Sequence, residues 1–252
     1  MKPTSTNNLS LFDHLLELRA RLLHSIIFVL VVFLSLIAWR EQLYQYLAKP
    51  LLATMPNGTQ MIATEVTSTF FAPFKLTMVL AIFIAMPYIL FQIWSFIAPG
   101  LYRNEKRLLA PLMFGSTILF YSGIAFTYFV VFPVAFSFFS SVTPEGVTMA
   151  TDISSYLDFV LKLFFAFGAS FEIPILIILL CWTGITTTAS LKAKRPYIIV
   201  GAFVIGMLLT PPDIFSQTML AIPMLLLFEL GVFIASFYTK TTTSETPTKQ
   251  DN

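Results

Sequence analysis

Charge is scarce in this chain. Lys, Arg, Asp and Glu make up 11% of its 252 residues, while 57% are hydrophobic and the mean hydropathy is +0.82. A soluble domain of this size does not need so much apolar surface, so the composition selects a multi-span membrane protein. Strand-like alternation of apolar and polar residues is missing, which excludes an outer-membrane barrel. A single cysteine, Cys181, excludes an internal disulfide and a cysteine metal cluster. The only two histidines, His14 and His24, precede or begin the first apolar run, so neither can serve a catalytic centre in mid-membrane. There is no GxxxxGK phosphate loop, no HExxH and no GxSxG. Enzymatic activity, a cofactor, a metal and a nucleic-acid partner are therefore not expected, and any energy must come from elsewhere. The first apolar run ends in Ala38-Trp39-Arg40 with no small-x-small cleavage site, so it reads as an uncleaved anchor.

What is present is long and apolar. A hydrocarbon core about 30 Å thick takes roughly 20 apolar residues per helix. Six runs approach that length, at 22–39, 74–97, 108–139, 156–182, 197–210 and 214–237. The fold class expected is all-α, with six transmembrane helices bent by proline into a concave cup. Basic residues set the orientation. One side collects Lys2, Arg19 and Arg21, then Arg103, Lys106 and Arg107, then Lys192, Lys194 and Arg195, and lastly Lys240 and Lys249. The other side has Arg40, Lys49 and marginally Lys75, and its second loop has only Glu145 and Asp152 as charges. Both termini are therefore expected in the cytoplasm. A single membrane domain over residues 1–238 would be followed by a polar, disordered cytoplasmic tail at 239–252.

Local patterns add detail. Residues 9–22 read as an amphipathic surface helix, with Leu11, Leu15, Leu18 and Leu22 on one face and Asp13, Glu17 and Arg21 on another. Glu17 and Arg21 are spaced as a solvated i,i+4 ion pair. Proline interrupts four spans, at Pro87, Pro133, Pro174 and Pro223, and should kink each of them. The fifth run is only about 21 Å long at helical rise and stops at Pro211-Pro212, where Asp213 is placed to cap the sixth helix. Glu172 lies near the middle of the fourth run, where a charge costs on the order of 3 kcal/mol, and Glu229 lies in the sixth. From the residues alone, these carboxylates fit either a midplane ion site of a secondary solute transporter or groups hydrogen-bonded between helices.

Several long segments, taken in order, narrow that choice. HLLELRARL (14–22), FQIWSFIAPGLYRNEKR (91–107), FVVFPVAF (129–136), FGASFEIPI (167–175) and RPYIIVGAFVIGMLLTPPDIFSQTMLAIPM (195–224) closely resemble TatC, the six-span core of the twin-arginine protein translocase. The resemblance implies a receptor for signal peptides with two consecutive arginines and export of folded cargo driven by the proton-motive force. It also implies a bacterial cytoplasmic membrane location, TatA- and TatB-like single-span partners and self-association in the receptor complex. Glu17 and Glu105 match the family glutamates implicated in recognition, Arg19 an arginine of the same motif, and Phe96 the FxAPxL motif beside the site. Their basic neighbours would keep the two carboxylates ionised and oriented until the peptide replaces them. Pro50 matches a sensitive proline of the external cap, Glu172 the buried family glutamate and Asp213 the acidic residue after the double proline. These last three are expected to act in transport and partner coupling.

Overall fold

The computed structural model describes residues 11–52, 61–97, 109–142, 151–209 and 214–242. Ten α-helices are formed there: α1 (Leu11–Leu36), α2 (Arg40–Leu52), α3 (Ser68–Ile97), α4 (Leu109–Phe126), α5 (Phe132–Val142), α6 (Ile153–Phe171), α7 (Ile173–Trp182), α8 (Thr188–Ala193), α9 (Arg195–Leu209) and α10 (Ile214–Thr242). No named strand occurs among the described residues; the only β-type pairing there is an isolated bridge between Ile62 and Asp152. Five helical stretches are long and apolar enough to cross a membrane: His14–Ala48, Ser68–Ile97, Ala110–Val142, Ile153–Trp182 and Gln217–Phe237. The remaining run, the fifth, is the shorter α9, Arg195–Leu209. The protein is thus an all-α, multi-pass membrane protein, as its apolar runs require.

Helix boundaries follow local chemistry that hydropathy does not register. From Leu11 the segment expected to be amphipathic and the first apolar run form one helix, α1, unbroken to Leu36. Helix α3 starts before its expected first residue, and Ser68 Oγ donates to the Glu65 carbonyl at 2.6 Å. Asp152 caps α6, its carboxylate accepting from the amides of Ser154 and Ser155. That cap moves the start of this span to Ile153.

The four expected proline kinks resolve into different local solutions. Pro87 and Pro223 lie inside helices that continue past them, as does Pro73, whose carbonyl accepts from Thr77 Oγ1 at 2.8 Å. Before Pro133 the chain widens into a π-turn at Thr127–Val131, with the Phe132 amide bonded to the Thr127 carbonyl. Before Pro174 the helix breaks at Glu172, which ends α6 and precedes α7. A proline removes one backbone donor, and the chain loses that bond, widens or restarts around it.

The chain divides into two compact units, Met1–Leu43 with Pro73–Thr117, and Tyr44–Ala72 with Ile118–Asn252. In the first, α1 lies against α3 through aromatic pairs: Phe28 on Tyr88 at 4.6 Å between ring centroids, and Phe33 edge-on to Phe74 at 5.0 Å. In the second, Phe132 is fully buried and meets Phe164 edge-on at 5.0 Å, while Phe136 packs on Tyr156. Tyr156 sends its hydroxyl to the Leu47 carbonyl at 2.7 Å, so its polar end is satisfied in the core. Two close approaches explain particular glycines. A Cβ on Gly123 would lie 2.7 Å from the Phe167 carbonyl oxygen, and one on Gly231 would lie 2.8 Å from Pro174 Cα.

Candidate functional site

Three side chains on α1 point the same way because they are three, four or seven residues apart: His14, Glu17 and Arg21. Across from them α3 presents Gln92 and, one turn later, Phe96. The Arg21 guanidinium donates to Glu17 Oε1 from Nε at 2.9 Å and from Nη2 at 2.5 Å, and its Nη1 donates to Gln92 Oε1 at 3.2 Å. The side chains of Arg21 and Glu17 are 25% and 32% exposed, so this is a partly shielded pair rather than a solvated one. His14 is exposed and stacks on half-buried Phe96, with ring centroids 4.2 Å apart and planes 20° apart. Trp94, two residues before Phe96, is 3% exposed, and its Nε1 has no hydrogen-bond partner among the described residues. One carboxylate and one amide oxygen thus hold a guanidinium, a group whose planar fork matches such acceptors, and the same two helices carry the His14–Phe96 stack.

Arg19 does not join this cluster. Two residues from Glu17 it lies about 200° around the helix, and it is exposed. Glu105 and Asp213 lie outside the described residues, as do Arg103, Lys106 and Arg107. Pro50 falls near the end of α2, and its side chain is likewise outside what is described.

In the other unit, Glu172 sits at the break between α6 and α7. Its amide donates to the Ala169 carbonyl at 3.1 Å and its carbonyl accepts from Leu176 at 3.0 Å. The residue is half-buried and its Oε1 is shut off from solvent. Glu229, expected to resemble it, has a different environment: Arg195 Nη2 donates to its Oε2 at 2.5 Å, with both side chains nearly half exposed. The pair ties the start of α9 to α10 across 34 residues. Asp152 anchors a third polar cluster, accepting from Thr64 N and Thr64 Oγ1 as well as from the first turn of α6. The hydrogen bonds from the Ser155 amide and then from Thr64 hold its carboxyl well below the usual carboxylate range. The amide of Ile62 bonds the Thr151 carbonyl at 3.0 Å and closes the same junction.

Comparison with known proteins identifies the family of the chain. Residues 13–223 match the family described as Sec-independent protein translocase protein (TatC). The chain belongs to the TatC family. It is 63% identical over 228 residues to the Sec-independent protein translocase protein TatC of Haemophilus influenzae, covering 90% of this chain and 89% of that one. Against the TatC protein of Escherichia coli strain K12 the figures are 57% over 228 residues, 90% and 88%. Among solved structures, a crystal structure of the twin-arginine translocase receptor TatC superposes with a TM-score of 0.81 at 38% identity, covering 90% of this chain and 99% of that one. Membership in the TatC family makes the chain a component of a Sec-independent twin-arginine protein translocase, and nothing in these similarities supports the solute-transporter alternative.

Sequence reasoning missed Gln92, His14 and Arg195 as members of these clusters. The signal for Gln92 was a lone amide inside the apolar stretch ILFQIW, one turn before Phe96. His14 stands ahead of the first apolar run and is exposed, yet it stacks on Phe96, a contact with another helix that its own segment does not announce. For Arg195 no local signal existed, since its partner is on another helix.

Proposed function

We propose that this chain is the signal-peptide receptor of its translocase, binding two consecutive arginines at the cytoplasmic face of a bacterial inner membrane. The observation that supports the reading most is the guanidinium held by Glu17 and Gln92 beside the His14–Phe96 stack. A site already able to seat one guanidinium has the chemistry to seat another. Glu17 and Glu105 supply the charge, Phe96 an apolar wall and Arg19 a neighbouring positive charge. Both termini face the cytoplasm in this reading, following the distribution of Lys and Arg.

Later steps fall to the second unit. Glu172, Pro50 and Asp213 couple the docked peptide to transport and to single-span TatA- and TatB-like subunits, and copies of the chain associate with one another. Glu172 lies roughly midway along its span, too deep for arginines held at the surface, so it acts after docking. The proton-motive force drives export.

The experiment is photo-crosslinking of the protein to a twin-arginine signal peptide, paired with affinity measurement. Glu17→Gln and Glu105→Gln keep shape and remove charge. Each should cost about 1.5–3 kcal/mol, roughly tenfold to a hundredfold in affinity. A twin-lysine peptide should bind poorly to the parent, because an ammonium cannot form the fork. Parent-like binding by both glutamine variants refutes the site.

A further inference from the structure

We infer that Arg21 is an internal occupant of the receptor's guanidinium seat, and that Gln92 is the second wall of that seat. The inference rests on the reading that Glu17 binds a peptide arginine. An i,i+4 pair needs only two residues of one helix, but here Arg21 also reaches across to α3. Nε and Nη2 converge on Glu17 Oε1, while Nη1 diverges to Gln92 Oε1. Acceptors on two helices therefore bracket the two edges of one planar cation. A lysine ammonium, a point donor, cannot span both edges, so Gln92 contributes selectivity by shape without adding charge. Glu17 Oε2 receives no hydrogen bond among the described residues, which leaves acceptor capacity for a second cation during exchange.

The exchange is like for like. A partly exposed ion pair of this spacing contributes little stability, and Arg21 is exposed enough to swing into water as another guanidinium arrives. Every bond the peptide arginine forms with Glu17 and Gln92 replaces one that Arg21 gives up. Arg21 thus competes with the peptide and lowers its apparent affinity. It also keeps the carboxylate covered when no signal peptide is present. Selectivity survives because a lysine peptide must displace a better-fitting group than itself.

The test measures binding of a fluorescent twin-arginine signal peptide to the purified full-length protein in lipid nanodiscs. Arg21→Met removes the competitor while keeping much of its apolar stem, and should tighten binding about three- to fivefold. Gln92→Leu should change affinity less than about twofold in the parent, because occupant and ligand lose the same bond. In the Arg21→Met background it should weaken binding about fivefold or more. A residue that merely held α1 against α3 would act equally in both backgrounds. Unchanged or weaker binding by a monodisperse Arg21→Met variant overturns the proposal. An equal effect of Gln92→Leu in both backgrounds does so too. Glu17→Gln separates the levels: if it binds like the parent, the recognition reading itself fails. If it binds weakly while Arg21→Met shows no gain, only the exchange fails.

Discussion

Gly231→Ala adds one methyl group where the structure has no room for it. The added Cβ would stand 2.8 Å from Pro174 Cα and 2.9 Å from Ile177 Cδ1. Ordinary carbon contacts lie at about 3.5–4.0 Å, so α7 and α10 must separate locally by roughly 1 Å. The isoleucine tip can rotate away, but the proline backbone cannot. Overpacking of this kind costs about 1–3 kcal/mol, which should lower the melting temperature by roughly 3–10 °C. The loss should extend to function, because Glu172 lies two residues before Pro174 and Glu229 two residues before Gly231. Opening this contact displaces both carboxylates. Thermal unfolding of the detergent-solubilised protein, followed by size-exclusion chromatography, measures the first effect, and export of a folded reporter the second. Gly201→Ala is the control, since its added Cβ meets nothing within 4 Å; it should melt no lower than the parent. If Gly231→Ala melts and exports like the parent, the backbone contact is not the constraint described here.

Three further outcomes are expected. Glu172→Ala should leave crosslinking to the signal peptide nearly intact while reducing export, and Glu172→Gln, which still hydrogen-bonds, should be milder; lost crosslinking in a folded Glu172→Ala variant would move this residue into recognition. Asp152 has its carboxyl pKa lowered in the folded state, so its contribution is complete above the unfolded value of about 4 and is lost as pH falls below it. Protection of the Ile62 and Thr64 amides, taken as exchange relative to the intrinsic rate at each pH, should therefore stay high from neutral pH down to about 4 and fall below it, while Asp152→Asn should lower it throughout; a transition near pH 6 in the parent would contradict this assignment. Topology reporters at residues 60 and 145 should read outside and those at 104 and 190 inside, and an external signal at 104 would reverse the orientation.

How much of this was legible beforehand depended on the range of the interaction. Apolar runs announce spans because the hydrocarbon core sets their length, and Glu17 and Arg21 announce themselves because helix geometry makes them neighbours. The resemblance to TatC rested on whole segments such as FQIWSFIAPGLYRNEKR, long enough to be specific. Pairings across the chain left no such trace. Arg21 meets Gln92 over 71 positions and Thr64 meets Asp152 over 88. Periodicity describes one helix at a time and is blind to what faces it. Glu229 shows the consequence: as a lone acid in an apolar run it resembled Glu172, yet the nearby start of α9 supplies it with a cation.

The π-turn at Thr127–Val131 carries a genetic implication. A π-turn holds one residue more than an α-turn, so it is the mark of an insertion absorbed without breaking the helix. Deleting a single codon within it should restore ordinary α-helical winding there. Because the widened turn already absorbs the extra residue, the segments on either side keep their bearing when it is lost, and Phe132 should stay enclosed against Phe164. This short segment is therefore where the third span can lose one residue at little cost: the same deletion in the regular helix at 118–126 would turn everything after it by about 100° and carry the aromatic stack off the core face.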